Sequence, residues 1–324
     1  MNILVCGGAG YIGSHMVKML TEAGHHTTTF DNLSTGHRLA VQWGELVIGD
    51  LLDAAALRGL FAERRFDAVM HFSAKSLVGE SVAQPAAYYR NNVIGTFNLL
   101  EAMRAAGVSR FVFSSSAATF GNPVAGRIDE QHPQAPINPY GQTKLMVERM
   151  LRDYAAAYGL RSVSLRYFNA AGADPAGHIG EAHDPETHLI PNVLKAALDP
   201  AKQLKVFGQD YATPDGTCVR DYIHINDLCQ AHLLALGHME HQQGAHGFNL
   251  GNGQGFSILE IIRAAEQVTG QKIPYQACQR RPGDPPTLVA DATRARQQLG
   301  WQPQYTEITE ILRTAWHWHR KQLY

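Results

Sequence analysis

The first half of the chain alternates between short runs that are apolar at almost every position and longer stretches with apolar residues at helical spacing. Asn2–Cys6 reads as a buried strand, Thr27–Phe30 as a second, Glu45–Ile48 as a third and Ala68–His71 as a fourth. Arg110–Ser114 makes a fifth, with a Phe-Val-Phe centre, and Arg161–Tyr167 resumes strand character. Between them Ser14–Ala23, closed by Gly24, then Asp53–Arg64, Asn92–Ala106 and the Ala-, Met- and Leu-rich stretch after Tyr140 read as helices. Short apolar strands alternating with helices predict an α/β fold whose parallel sheet is covered on both faces.

After about residue 170 the pattern loosens. Loop-rich segments (Gly172–Pro185, Gln209–Thr217) separate shorter elements, Ser257–Thr269 reads as a helix, and Arg280–Pro286 as a proline-rich ordered loop. Thr306–Gln322 is a final amphipathic helix whose Trp316 and Trp318 are expected to pack. The expected division is a first domain over residues 1–170, with segments around 218–240 returning to it. A smaller mixed α/β lobe then spans 171–324, interleaved with the first domain.

A length of 324 residues suffices for a large core, and 45% apolar with 18% charged residues suits a soluble globular chain. The net charge of −1 supplies no field for nucleic acid, and no run reaches the length of a membrane span, so neither partner is expected. Cys6, Cys218, Cys229 and Cys278 form no CxxC pair or disulfide framework. The first ten residues already read as domain sequence, so no signal peptide is expected and a reducing, cytoplasmic setting follows.

Chemistry enters directly after the first strand. Gly8-x-Gly10-x-x-Gly13, also readable as Gly7-x-x-Gly10-x-x-Gly13, falls between a strand and a helix. There Gly8 permits a tight turn, Gly10 lets the backbone approach a pyrophosphate, and Gly13 lets helix and sheet close together. The anion then meets the free N–H groups of the helix. Asp31 ends the second strand, where a carboxylate accepts hydrogen bonds from both hydroxyls of an adenosine ribose. It also repels a 2′-phosphate, which favours NAD over NADP. Asp50, before Leu51, ends the third strand as a candidate neighbour of adenine, a solvated turn aspartate being the nearest alternative.

The second constellation is Tyr140-Gly-Gln-Thr-Lys144, which follows Pro139 and puts a phenol and an ammonium on one helix face. A free phenol is a poor base near neutrality. A nearby ammonium, helped by a positive nicotinamide ring, is expected to bring Tyr140 towards a working pKa. Ser114-Ser115-Ser116 ends the fifth strand, over the carboxyl edge of the sheet, where a hydroxyl can share a proton with Tyr140. Either feature alone is commonplace; in this order, with the glycine turn and Asp31, they specify hydride transfer between NAD and a carbon bearing an alcohol.

These residues resemble the extended short-chain dehydrogenase/reductase family, in its sugar-nucleotide-epimerising branch. The resemblance spans nearly the whole chain through GGAGYIGSH, DNLSTGH (31–37), NNVIGT (91–96), SSSAATFG (114–121), PYGQTK (139–144), RYFNAAG (166–172), HLIPNVLKAA (188–197), DGTCVRDYIHINDL (215–228) and RRPGD (280–284). It implies a Rossmann-type sheet with a C-terminal substrate lobe, NAD held as a prosthetic group, and a homodimer built on helices near Asn92–Ala106 and Tyr140–Tyr158. The implied reaction is reversible C4 epimerisation of UDP-glucose and UDP-galactose through a transient 4-keto sugar.

By the same resemblance the catalytic residues are Ser116, Tyr140 and Lys144. The NAD neighbours are Gly7, Gly8, Gly10, Tyr11, Ile12, Gly13, Asp31, Asn32, Asp50, Leu51, Phe72, Asn92, Ser114, Tyr140, Lys144 and Tyr167. The UDP-sugar side falls on Ser116, Asn169, His188, Leu189, Phe207, Arg220, Arg281, Asp284 and Leu288. A guanidinium at Arg220 suits a pyrophosphate, or else pairs with Asp221 at the surface. Lys75 stands one position before Ser76, where some relatives carry a lysine, and His188 stands where asparagine is common. Leu288 occupies the position associated with sugar-pocket size, which leaves the N-acetylated UDP-hexosamines open.

Rival readings fare less well. A 4,6-dehydratase needs acidic help where this chain has Ala117-Ala118, and a simple alcohol dehydrogenase leaves the lobe motifs unexplained. An idle nucleotide sensor would not need Ser116, Tyr140 and Lys144 together. The sixteen histidines form no HxxxH or HExxH array, and His15, His25, His26, His178, His183 and His188 are expected to be solvated or capping, with no metal bound.

Overall fold

The computed structural model describes residues 1–199, 201–281 and 284–324. The chain runs β1 (Asn2–Cys6), α1 (Tyr11–Glu22), β2 (His26–Asp31), β3 (Glu45–Ile48), α2 (Ala54–Glu63), β4 (Ala68–His71), α3 (Val78–Ala83) and α4 (Pro85–Tyr88). A π-type turn, Tyr89–Ile94, leads into α5 (Gly95–Ala105), β5 (Arg110–Ser116), α6 (Pro139–Tyr158), β6 (Arg161–Tyr167) and β7 (Asn169–Ala171). Next come α7 (Leu189–Leu198), β8 (Leu204–Phe207), β9 (Val219–His224), α8 (Ile225–His241) and β10 (Ala245–Leu250). The chain ends in β11 (Gly255–Ser257), α9 (Ile258–Thr269), β12 (Tyr275–Cys278), β13 (Thr287–Leu288), α10 (Thr293–Leu299) and α11 (Ile308–His319).

Seven strands form one sheet in the order β10-β6-β5-β4-β1-β2-β3, every pairing parallel. The centre of the sheet is buried on both sides, which is why β1, β4 and the Phe111–Phe113 stretch of β5 are apolar at successive positions. One face packs Ile3, Val5, Val112, Val163 and Leu165 beneath α1 and α8; the other packs Leu4, Val69, Phe111 and Phe113 beneath α2, α5 and α6. Strand order reverses at β1, between β2 and β4, and this opens the crevice at the carboxyl ends where such sheets bind ligands.

β10 escapes the apolar-run pattern because Ala245-His-Gly begins it, and only Phe248, Asn249 and Leu250 are buried. The lobe packs a separate core from α7, α9 and α11 around Ile190, Val193, Ile261, Ile311 and Leu312. Its small sheet centres on β9, which pairs with β7, β11 and β13, so the lobe is stitched directly to the strand that follows β6.

Candidate active site

The turn after β1 is held by its glycines. Gly7 has a φ of +81°, and a Cβ on it would stand 2.6 Å from Ser73 N, because the segment leaving β4 crosses this turn. A Cβ on Gly13 would overlap Gly7 O and stand 2.8 Å from Gly8 Cα, so α1 cannot approach the turn with any larger residue. Gly10 is N-cap of α1, and the only atom within reach of a Cβ there is Gly7 O at 3.4 Å. The turn thus leaves open the one glycine expected to face a pyrophosphate.

Asp31 is buried beside it. Its Oδ2 accepts Ala9 N–H at 3.0 Å and its Oδ1 accepts Leu33 N–H at 2.8 Å, so the carboxylate pins the glycine turn to the loop after β2. Burial raises its pKa, and these two hydrogen bonds oppose the rise. Each oxygen keeps a lone pair for a further donor. Asn32 donates to Asp50 Oδ2 at 2.9 Å, and Leu51 packs below Gly95. Ile12, Phe72 and Tyr167 border the core under the crevice. A glycine cradle, a carboxylate with spare acceptors and an apolar floor are the donor set that an NAD adenosine and pyrophosphate require.

The reactive side chains rise from β5 and α6. Asn138 Oδ1 accepts Gly141 N–H at 2.8 Å, and with Pro139 it starts α6 so that Tyr140 and Lys144 face the ends of β5 and β6. Ser116 Oγ accepts Ala118 N–H at 3.1 Å, which fixes the hydroxyl on the Tyr140 side of the strand end, where it favours the phenolate. Lys144 is buried; its Nζ donates to Ser114 O at 2.7 Å and lies 5.8 Å from the Tyr140 ring centroid. Ser114 Oγ hydrogen-bonds Tyr167, closing the group.

The electrostatics differ from the sequence expectation. Burial pushes the Tyr140 phenol above its ordinary value, with the Ser116 hydrogen bond pulling the other way. Lys144 is buried as well: its pKa falls to about 7, and the Glu148 carboxylate only partly sustains the charge. Burial by the protein thus favours the neutral phenol and brings the ammonium close to its titration point.

Two further placements add detail to the sequence reading. Asn92 accepts Lys75 N–H at 2.9 Å and donates to Lys75 O and to Thr143 Oγ1, each at 3.0 Å. It positions the loop after β4 against α6, while Lys75 Nζ turns to Glu80 at 3.0 Å. Arg220 pairs with Asp284 at 2.8 Å instead of Asp221. Asp221 lies fully buried and accepts the N–H groups of Asn252, Gly253 and Ala290.

On the lobe, Arg220 and Leu288 lie in register on β9 and β13, and Arg281 sits 4.1 Å above the Phe207 ring. Of the Arg280–Asp284 motif, residues 282 and 283 lie outside the described residues. Asn169 donates to Asp221 O at 2.8 Å, and Leu189 is the first residue of α7.

His188 points elsewhere. Its Nδ1 hydrogen-bonds Glu181, as does His183 Nδ1 at 3.0 Å, so these histidines are half-exposed and carboxylate-bound, and His188, the N-cap residue of α7, makes no side-chain cap. The ligand atoms of Glu181, His183, Glu186 and His188 all lie within 4.8 Å of one another. The sequence reading, which tested the HxxxH and HExxH templates, did not single out this grouping, because the spacing Glu-x-His-x-x-Glu-x-His belongs to a loop that folds back on itself.

Sequence reasoning also missed Glu148, Arg166 and Gln134. Glu148 takes Arg166 Nε and Nη2 at 2.8 and 2.7 Å, Ser115 Oγ at 2.6 Å and Gln134 Nε2 at 3.0 Å, all behind the reactive group. The one legible signal was Glu148 four residues after Lys144 on the same helix face.

A parallel sheet with a glycine turn at its switch point and a Ser–Tyr–Lys group over its carboxyl edge defines a dinucleotide-fold protein of the dehydrogenase/reductase class. The chain belongs to the NAD dependent epimerase/dehydratase family, whose pattern matches residues 3–251. It is 50% identical over 321 residues to the UDP-glucose 4-epimerase of Halalkalibacterium halodurans, covering 99% of this chain and 96% of that one. The structure of the Brucella ovis UDP-glucose 4-epimerase in complex with NAD superposes with a TM-score of 0.95 at 52% identity, covering 98% of both chains. The Bifidobacterium longum UDP-glucose 4-epimerase in complex with NAD+ and UDP superposes with a TM-score of 0.94 at 38% identity, covering 99% of both. Among the described residues, no helix is long and apolar enough to cross a membrane.

Proposed function

We propose that this chain interconverts UDP-glucose and UDP-galactose by inversion at C4 through a 4-keto sugar, with NAD held throughout. The observation that carries the reading is the buried Lys144, fixed on Ser114 O at the end of the Ser114–Ser116 strand and 5.8 Å from the Tyr140 ring, at the same sheet edge as the glycine turn. NAD, when bound, supplies a hydride acceptor and later a donor, which makes the net reaction redox-neutral. The glycine turn and the helix it caps hold the pyrophosphate; Asp31 takes the adenosine ribose and disfavours a 2′-phosphate.

Tyr140 accepts the C4 hydroxyl proton and returns it, with Ser116 completing the hydrogen-bond path. Lys144, fixed by the Ser114 carbonyl, supplies the positive charge that a phenolate needs. Arg220, oriented by Asp284, and Arg281, laid on Phe207, anchor the UDP handle, while Asn169 and Leu189 line its path. The hexose is left loosely held beside Leu288, so the keto sugar turns its other face to C4 chemistry while UDP stays fixed. Leucine there leaves room for an N-acetyl group.

The dinucleotide unit comprises residues 1–170 with the returning α8 and β10, and residues 171–324 otherwise form the UDP-sugar lobe. A homodimer through α5 and α6 accounts for exposed Ile94, Phe97 and Tyr158 on and beside those helices. The four free cysteines suit a reducing cytoplasm.

The test is incubation of the purified chain with UDP-galactose, without added NAD, followed by proton NMR. A parallel sample holds UDP-N-acetylgalactosamine. UDP-glucose should form in the first. No conversion in either, when denatured protein releases a full equivalent of NAD, would sink the substrate assignment.

A further inference from the structure

Between β7 and α7 the chain folds back to bring Glu181, His183, Glu186 and His188 together. The Glu181 and Glu186 side chains are only 4% and 3% exposed, an expensive location for two carboxylates. Glu181 Oε1 is fully engaged, accepting from both His183 Nδ1 and His188 Nδ1. Glu186 Oε1 accepts Thr187 N–H and His188 N–H at 2.8 and 2.9 Å. Glu186 Oε2, in contrast, is buried with no hydrogen-bond partner and looks towards His183 Nδ1 at 3.8 Å. An acceptor buried without a donor costs stability, and in a native protein it calls for an explanation.

We infer that Glu181, His183, Glu186 and His188 form a binding site for a divalent transition-metal ion of the zinc class. Two imidazoles and two carboxylates, without a thiolate, are a borderline donor set that suits Zn²⁺, and imidazole disfavours Mg²⁺. A four-coordinate ion supplies the partner that Glu186 Oε2 lacks and balances both buried carboxylates. Each imidazole gives the metal its Nδ1 lone pair, and any proton it now directs at Glu181 leaves to solvent. Their ligand atoms, within 4.8 Å of one another, need to draw in somewhat to meet bonds of about 2.0–2.2 Å. His188 and His183 are free to do so, being 52% and 34% exposed, and the same exposure opens a path for the ion.

The surroundings give the site a role. Trp318 Nε1 donates to Glu181 O at 2.9 Å, and His37 Nε2 donates to Ala182 O at 2.7 Å. Tyr11, the first residue of α1, presents its ring 6.3 Å from that of His183. A bound ion would fasten the loop between α1 and α11 and fix the approach to α7.

The untagged full chain, as purified and then stripped with a chelator, is titrated with Zn²⁺ by calorimetry and with Co²⁺ by visible absorbance, with Mg²⁺ as a control. One Zn²⁺ per chain at micromolar affinity or tighter, with the strong absorbance of four-coordinate Co²⁺, is expected. Glu186→Gln and His183→Gln should each weaken binding by at least about tenfold. Absence of stoichiometric Zn²⁺ binding, or binding that neither substitution weakens, overturns the site and assigns any uptake to the other histidines. If a variant fails to fold, NMR of the unsubstituted chain decides: Co²⁺ must broaden the ring signals of two histidines first, and uniform broadening refutes the proposal.

Discussion

Lys144 and Glu148 stand one turn apart on the same face of α6, and the second sustains the charge of the first. Burial draws the Lys144 pKa down from 10.5 to about 7 while Glu148 pulls it up. The folded chain therefore holds this proton more weakly than the unfolded chain does. Between about pH 7 and 10.5 the unfolded state binds more protons, so the lysine's penalty on folding is full below pH 7 and fades as pH rises. Lys144→Met should accordingly be more stable than the wild type at pH 6.5, by about 1–4 kcal/mol, with the gap closing towards pH 10. Urea unfolding of both chains across that range measures it, and a gap that widens with pH would contradict the assignment.

Glu148 itself stands or falls with Arg166. The pair is bidentate and almost fully buried. Burial works against the carboxylate, and Arg166 more than compensates, holding its pKa below the usual range. Glu148→Gln leaves a buried guanidinium unpaired and should cost about 3–5 kcal/mol. Adding Arg166→Met to that variant should recover a large part of the loss, because no unpaired charge then remains. Equal stabilities for the single and double variants in chemical denaturation would show that the ion pair is not what matters there.

The glycines divide by what surrounds them. A Cβ on Gly13 meets the backbone of Gly7 and Gly8, which cannot give without deforming the turn. Gly59, exposed inside α2, has nothing within 4 Å of the added carbon. Gly13→Ala should cost roughly 2–4 kcal/mol and release NAD. Gly59→Ala should gain about 0.5–1 kcal/mol through helix propensity alone. Melting temperatures of the two variants, with NAD content after gel filtration, test both signs together.

The contrast between these glycines reflects what the sequence could reveal. Arg161–Tyr167 is a strand over the residues its pattern marks, and Ser114–Ser116, Tyr140 and Lys144 meet where strand ends and helix phase put them. Local periodicity governs both. Helix α1 begins at Tyr11, three residues before its apolar repeat becomes visible, because backbone capping at Gly10 starts it without a side-chain signal. β10 was hidden because a polar edge strand lacks the apolar run of its neighbours. The Glu148–Arg166 pair and the Glu181–His188 loop depend on contacts between elements, about which periodicity carries no information.

Tyr140 marks the limit of reading chemistry from motifs. Its spacing from Lys144 suggests a phenol lowered towards neutrality, yet in the protein alone burial raises it and the Ser116 hydrogen bond only opposes that rise. The remaining pull must come from positive charge brought by the nicotinamide and from a charged Lys144. Phenolate absorbance of the wild type minus that of Tyr140→Phe, followed against pH, should therefore titrate above the ordinary tyrosine value in NAD-stripped protein. It should move down by at least about one unit with NAD bound. Tyr140→Phe should retain NAD while losing about 10²–10⁴ in turnover, the usual range for a removed general base. A difference titration that NAD leaves unmoved, together with near-full turnover of Tyr140→Phe, would assign the proton transfer to another group, with Ser116 the first to test.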